Sequence, residues 1–411
     1  MKSPMQFPPY QPHGAEELQA VVEVMKTGQL SPFLGKHDPA FHGGPRVREL
    51  EARWAEAHGV NYAVAFNSAT SALIAGLAAL RVSPGDEVLV VGYSMCISAS
   101  APLLFDAIPV FVDIEPDCFC MDPAKIEAAI TPRTRAILPV DLFGQSADMP
   151  AIRAIAKKHG LQILNDASHV PACRAFGAYA GTLGDIGVYS LNQHKIIHCG
   201  EGGLAVTNDE DLALRLKLLR NHAEAVVGEM GRSDLEGMVG GNYRLGELEA
   251  AIAIEQLKKL PGLLSARQEL AGRLTERLNA LGFLQAPKVR ETCEHSYYLF
   301  PVLFDAAKAG MDRQTFVSHL KQEGYELYRL AVGYVEPLHL LPLFQKPREF
   351  RRGYPWSLAD GERQQSYAPG LLPVTERLHT TEMLVLSHIY PPLSLGDLDR
   401  IADAFAAAAG A

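Results

Sequence analysis

From residue 60 onward the chain alternates between two periodicities. Short apolar, β-branched runs fall at 62–66, 87–91, 108–112, 135–139, 161–164, 186–189 and 204–207, and stretches with helical spacing separate most of them, at 71–80, 98–105, 123–129 and 149–159. The runs are apolar nearly throughout rather than at every second position, which is the pattern of strands covered on both faces. Strand, helix, strand at this spacing predicts an α/β fold built on a mostly parallel sheet of seven strands with helices on both sides. Ligands of such sheets lie at the carboxyl ends of the strands. The loops that follow each run are therefore where chemistry is to be sought.

The flanks read differently. Residues 1–45 form a Pro- and Gly-rich arm around one amphipathic helix at 14–27. A second helix is predicted at 45–58, entered by Pro45 and ended by Gly59. Beyond the sheet come helical stretches at 209–222, 245–259 and 266–281, the last two separated at Pro261. After residue 295 the pattern changes to a strand at 297–304, a helix at 312–324, a strand-like run at 326–330, a Pro- and aromatic-rich insertion at 341–373 and a closing helix at 395–408. This predicts a large domain at 1–260, including the arm, and a smaller α+β domain at 261–411.

Composition narrows the function classes. A chain of 411 residues, 48% of them apolar, can bury the cores of two domains. The net charge of −9, with no basic cluster interleaved with aromatics, argues against a nucleic-acid partner, and the short basic run at 346–352 reads as a solvated loop. Six scattered cysteines lack metal-type spacing, so no metal site and only free thiols in a reducing compartment are expected. The N-terminus has no signal pattern and no apolar run approaches the ~20 residues of a membrane span. A soluble, cytoplasmic protein is expected.

The most informative stretch is Ser190-Leu-Asn-Gln-His-Lys195-Ile-Ile-His-Cys-Gly200-Glu-Gly-Gly203, set between two predicted strands. A lysine whose stem is held by core packing is desolvated, and desolvation disfavours the ammonium, leaving an amine able to condense with a carbonyl. Three other strand ends supply complementary groups. Asn67-Ser-Ala-Thr70-Ser71 opens a helix, whose first N–H groups can hold a phosphate; taken alone it reads more readily as an ordinary N-cap. Asp166 follows the fifth run, where a carboxylate can keep a ring nitrogen protonated, and His169 lies three residues on. Ser190 closes the set.

These residues resemble the DegT/StrS type of pyridoxal-phosphate-dependent sugar aminotransferases, with their aspartate aminotransferase-like large domain. The likeness runs from about Gly43 to Pro392. It includes Gly43-Gly-Pro-Arg-Val-Arg-Glu-Leu-Glu51, the turn at 67–73, Val110-Phe-Val-Asp113, Asp166-Ala-Ser-His169, the stretch at 190–203, Leu219-Arg-Asn-His222, Gly241-Asn-Tyr-Arg244 and Pro337-Leu-His339. The resemblance implies that Lys195 is the Schiff-base lysine and proton shuttle. It places Asp166 beneath the pyridine nitrogen and His169 near the ring hydroxyl. Ala69, Thr70 and Ser190 become phosphate contacts. Asn242 becomes the residue that reaches the phosphate from a second subunit, so a homodimer with shared active sites is implied.

Three positions depart from the family. Met95, in Tyr93-Ser-Met95-Cys96, stands where an aromatic usually stacks on the cofactor ring; either its thioether packs there or Tyr93 takes the place. Asp141 replaces a usual histidine and bears on substrate recognition. The insertion at 341–373 is long enough to line the substrate site or cover it. Arg220 and His222 are expected at the active-site rim or as helix caps. Arg244 is expected on the donor carboxylate or in an interface, Pro337 and His339 on the substrate side or in a structural role, and Asp185 in a turn. The implied reaction carries an amino group from L-glutamate or L-glutamine, through pyridoxamine phosphate, to a keto-sugar, foremost a nucleotide-linked keto-deoxysugar. A keto-cyclitol is the alternative acceptor. A pyridoxamine-dependent sugar dehydratase is a further alternative; there a histidine replaces the lysine, and this chain has both His194 and Lys195. A non-catalytic protein on a decayed scaffold would have lost some of the lysine, aspartate, serine and asparagine, and all four are present.

Overall fold

The computed structural model describes residues 2–327, 336–346 and 366–410. All seven expected strands form: β1 (Tyr62–Phe66), β2 (Glu87–Val91), β3 (Ile108–Val112), β4 (Thr134–Leu138), β5 (Gln162–Asp166), β8 (Ile186–Ser190) and β9 (Gly203–Thr207). A two-stranded ribbon, β6 (Arg174–Ala175) with β7 (Ala178–Tyr179), interrupts the series outside the main sheet. The sheet order is β1-β9-β8-β5-β4-β2-β3. Only β9 runs against its neighbours; β8, β5, β4, β2 and β3 pair in parallel. β5 extends past the apolar run, so Asp166 is the last residue of the strand rather than the loop after it.

The strands β2, β3, β8 and β9 are buried along their whole length, as apolar runs covered on both faces must be. One core lies around the helix Ala69–Ala79 and the central strands. Another joins the opposite side of the sheet to the helix Pro45–His58, where Trp54 stacks on His58 with ring centroids 4.7 Å apart.

Two expectations need correction beyond the sheet. The stretches at 245–259 and 266–281 are one helix, Glu247–Asn279, with Pro261 inside it. An interior proline costs roughly 3 kcal/mol, but each buried aliphatic side chain contributes about 1.5–3 kcal/mol. The helix buries Ile254 and Leu260 in the core that holds Trp54, and Leu270, Leu274 and Leu278 in a third core. Packing on both sides of Pro261 outweighs the lost hydrogen bond. The residue 260/261 division thus falls inside a continuous helix. The second correction concerns the strand pattern at 297–304: strand β11 begins only at Phe300 (Phe300–Phe304), between β10 (Leu284–Gln285) and β12 (Met383–Leu386) in a three-stranded antiparallel sheet. Just before it, the Ser296 and Leu299 N–H groups donate instead to the Gly144 and Phe143 carbonyls of the loop after β4. Glu326 and Leu327 form no strand, and the rest of the run at 326–330 lies outside the described residues. The helices Arg313–Gln322 and Leu395–Ala408 cover this sheet through Phe316 and Phe405.

Of the insertion at 341–373, residues 347–365 lie outside the described residues. Its flanks are pinned at the edge of the large sheet. The Asp113 carboxylate, just after β3, accepts from the Val374 and Thr375 N–H groups, both at 2.9 Å. The Leu338 N–H donates to the Gly92 carbonyl at 2.8 Å.

Candidate active site

The carboxyl ends of β1, β2, β5 and β8 open on one cavity of about 370 Å³. Its lining includes Ser68, Ala69, Thr70, Met95, Asp166, His169, Ser190 and Lys195. Four separate strand ends thus bring together every cofactor residue expected from the sequence except Asn242.

At one end, Ser68 caps the helix Ala69–Ala79 by accepting the Ser71 N–H at 3.1 Å. The serine caps the helix, and Ala69 and Thr70, whose first-turn N–H groups have no intrahelical acceptor, line the cavity. Gly203 packs beneath this turn. A Cβ there would lie 2.4 Å from the Ala69 nitrogen, so only glycine lets β9 support the turn so closely.

At the other end, Asp166 is buried and its Oδ1 accepts from the Ser168 N–H at 3.1 Å. Burial raises the pKa of its carboxyl, opposed by hydrogen bonds from Ser168 and Ser98 and by the charge of Lys195. Such a carboxylate gains most from a cation brought beside it.

Lys195 lies in a hairpin-like excursion between the antiparallel strands β8 and β9. Leu191 N–H to Gly202 carbonyl and Gln193 N–H to Gly200 carbonyl, each 2.9 Å, close this excursion. The N-terminal arm clamps it from outside: the Tyr10 hydroxyl donates to the Ile196 carbonyl, and the His13 ring meets the His198 carbonyl at 3.0 Å. Lys195 keeps some surface toward the cavity mouth, but its amine is crowded by protein atoms. That desolvation pulls its pKa from 10.5 to about 8, with Asp166 acting in the opposite direction. Its Nζ stands 4.5 Å from the ring centre of Tyr298. The same ring stacks on His169, 4.2 Å away and 16° from parallel. Burial, and then the Lys195 charge, holds the His169 imidazole well below its ordinary pKa, in the neutral form.

Met95 lines the cavity and is 48% exposed, whereas Tyr93 is buried with its hydroxyl 3.3 Å from His379. The thioether, not the phenol, faces the site. Asn242 is exposed, accepts from the Arg244 guanidinium at 2.7 Å and does not line the cavity of its own chain.

Several further residues make contacts within the chain. Arg220 is fully buried, ion-paired with Glu51 at 2.5 Å and bonded to the Ala65 carbonyl; it braces β1 and is neither rim nor cap. His222 sits at a left-handed position, φ 53°, closing a turn onto Gly241. Arg244 holds Asn242 and approaches Asn221. His339 is buried against Glu376 at 2.9 Å, with Pro337 at the start of its short turn. The Asp185 carboxylate accepts the Ile163 N–H at 2.7 Å, the turn role expected of it. Asp141 is also outside the cavity lining and fully buried.

Sequence reasoning missed Tyr298, Leu299, Asn192 and Glu201 as lining residues. Asn192 and Glu201 bridge the two legs of the lysine excursion at 2.9 Å, and their place between strands was a usable signal. Tyr298 arrives from the far end of the chain and no local pattern marks it.

The donor set is that of a phosphate-bearing pyridine: helix N–H groups and Ser190 at one end, a buried carboxylate at the other, and a desolvated amine between. Comparison with known proteins agrees. The sequence profile of the DegT/DnrJ/EryC1/StrS aminotransferase family matches residues 13–406. The L-glutamine:scyllo-inosose aminotransferase of Streptomyces griseus is 33% identical over 97% of this chain and 93% of its own. The GDP-perosamine synthase of Caulobacter vibrioides is 35% identical over 73% of this chain and 78% of its own. The crystal structure of NtdA from Bacillus subtilis, with pyridoxamine phosphate bound, superposes with a TM-score of 0.80 at 28% identity, covering 100% of this chain and 86% of that one.

Proposed function

The chain belongs to the DegT/DnrJ/EryC1/StrS aminotransferase family, and on that footing we propose that it moves an amino group from L-glutamate or L-glutamine to a nucleotide-linked keto-deoxysugar. It is a pyridoxal-phosphate-dependent aminotransferase. When bound, the cofactor supplies a carbonyl that amines condense with and a ring that withdraws electrons once its nitrogen is protonated. The observation that carries the reading is the Lys195 amine, held near neutrality, in the same cavity as the buried Asp166 carboxylate.

Each side chain has a physical part. Asp166 holds a proton on the ring nitrogen by charge and hydrogen bonding. The Ala69 and Thr70 N–H groups with the Ser190 hydroxyl receive the phosphate. His169, neutral, hydrogen-bonds the ring hydroxyl. Met95 packs on the ring through a sulfur–aromatic contact. Lys195, with its pKa near 8, takes and returns a proton at its Nζ with little free-energy cost on either leg.

Asn242 completes the site of a second copy. The helix Ala15–Thr27 presents Leu18, Val22 and Met25 to solvent, 67%, 38% and 54% exposed, as one apolar stripe at helical spacing. A homodimer that buries this stripe fits both observations. All six cysteines are free thiols, as suits the reducing cytoplasm.

A keto-cyclitol is the second reading, favoured by the inosose aminotransferase that matches 97% of the chain. The test has two parts. The near-ultraviolet and visible spectrum of the purified protein is recorded before and after L-glutamate and then L-glutamine. A donor-dependent conversion of the cofactor band supports the amino-donor step, and a band that ignores both amino acids overturns it. The loaded protein is then offered a nucleotide-linked keto-sugar or an inosose, and the aminated product identified by mass spectrometry decides the acceptor.

A further inference from the structure

Tyr298 and Leu299 bring to the cavity a segment from far along the chain, and its backbone is tied from several directions. The Ser296 N–H donates to the Gly144 carbonyl at 2.9 Å, and the Leu299 N–H to the Phe143 carbonyl at 3.1 Å. The Tyr297 N–H donates to Nδ1 of His295 at 2.9 Å. The Tyr297 carbonyl accepts from the Arg267 guanidinium at 3.1 Å, and the His295 carbonyl from the Gln268 carboxamide at 3.3 Å. The Ser296 hydroxyl donates to the His169 carbonyl. Tyr297 itself sits at φ 50°, a left-handed conformation that a bulky residue keeps only where its surroundings hold it.

The ring fixed in this way touches two of the residues expected to serve the cofactor. Nζ of Lys195 stands over it, 4.5 Å from its centre, and the His169 imidazole stacks on it at 4.2 Å, 16° from parallel. Among the described residues that Nζ forms no ion pair. The electron-rich face of a phenol ring attracts an ammonium and leaves a neutral amine nearly indifferent.

We propose that Tyr298 is a positioning residue for Lys195: its ring face is the seat of the ammonium and sets where the amine stands relative to His169. The proposal rests on the aminotransferase reading of the site, in which Lys195 takes and returns a proton at Nζ.

Arg267 connects this seat to the backbone of the lysine excursion. It is buried, and its Nη1 donates to the Ile389 carbonyl at 2.8 Å as well as to Tyr297. Its guanidinium carbon lies 4.9 Å from the centre of the Tyr10 ring, and the Tyr10 hydroxyl holds the Ile196 carbonyl, next to Lys195. One buried cation thus links the ring beside the amine with the clamp on the lysine's own backbone.

The other ionisable groups lining the cavity are Asp166 and His169, at and just past the end of β5, and His194 and Glu201, on the lysine's own excursion. Arg267 acts on the Tyr298 phenol from the long helix. Crowding lowers the Lys195 pKa to about 8, and Asp166 opposes it. A ring face that favours the ammonium acts in the same direction as Asp166, so weakening that face moves the lysine's midpoint down.

The experiment changes the charge of the ring face while keeping its shape. In the full-length protein Tyr298 is replaced by phenylalanine and by phenylalanines with one, two and three ring fluorines, which progressively withdraw charge from the face. Labelling of Lys195 by an amine-directed reagent is followed against pH in the cofactor-free protein. The Tyr298→Phe midpoint should stay close to that of the wild type. It should then fall with each fluorine, by roughly one pH unit over the series, a tenfold change in proton affinity. In the cofactor-loaded protein Tyr298→Leu should lower kcat by roughly tenfold or more, with the KM for the amino donor within about twofold, and Tyr298→Phe should restore kcat. A midpoint that ignores fluorine content overturns the proposal, and so does a Tyr298→Phe variant as impaired as Tyr298→Leu. Failure of the aminotransferase reading is seen separately, as a wild-type cofactor band that ignores both amino donors; the fluorine series, read without cofactor, still decides the role of the ring.

Discussion

Lys195 owes its chemistry to crowding around its amine, so its reactivity should follow that environment. Labelling of Lys195 in cofactor-free protein by an amine-directed reagent should rise with pH through about 8 and then flatten, because the uncharged fraction is then complete. A midpoint near 10.5 would show a solvated lysine and would count against the site. Lys195→Ala should abolish turnover and the lysine-linked absorption band while far-ultraviolet circular dichroism stays native, since the side chain lies in the cavity lining and not in a core. Met95→Ala should weaken cofactor retention by up to about tenfold, the size of a sulfur–aromatic contact. Equilibrium dialysis against pyridoxal phosphate checks it. Lys195, Asp166 and Ser190 were legible because each lies at a predicted strand end. Asp141 was legible only as a departure. Its burial beside Asp166 depends on how β4 and β5 pair.

Elements carry the next set of consequences. The turn proposed to receive the phosphate is held by β9 as much as by its own helix. Gly203→Ala should therefore displace Ala69 and cost cofactor affinity, with strands and cores otherwise retained, because the added Cβ would lie 2.4 Å from backbone. Titration of the apoprotein with pyridoxal phosphate reads this. In the helix Glu247–Asn279, Pro261→Ala should restore one backbone bond and raise stability by about 1 kcal/mol, the gain reduced by a more flexible unfolded chain. A higher midpoint in urea unfolding checks it. The break expected at Pro261 failed because proline's local penalty is small beside what the two flanking faces bury. Helices with ordinary caps and no such conflict, such as Pro45–His58, Met149–His159 and Leu395–Ala408, fall where their patterns place them.

The assembled molecule settles what no single chain element can. If Asn242 serves the site of a second copy, mixing Lys195→Ala with Asn242→Ala under conditions that exchange subunits should regenerate one intact site in each mixed dimer. Random exchange then restores about one quarter of wild-type activity from two impaired parents. Absence of recovery despite verified exchange would place Asn242 outside a shared site.

The rhythm of apolar runs was enough to specify an α/β sheet of seven strands, the helices between them and the strand ends from which lysine, aspartate, serine and the phosphate turn arise. Those features follow from local periodicity and local backbone chemistry, which a window of a dozen residues contains. The strand order, with β9 inserted between β1 and β8, the passage of one helix through a proline, and the meeting of Tyr298 with Lys195 do not. They arise from segments distant in sequence that pack only when the whole chain has closed, and their stability lies in contacts between those segments. The loop at 141–147 shows the difference most plainly. Its sequence contains the aspartate and the glycine, but only the tertiary fold buries the one and presses the other against the chain that carries Tyr298.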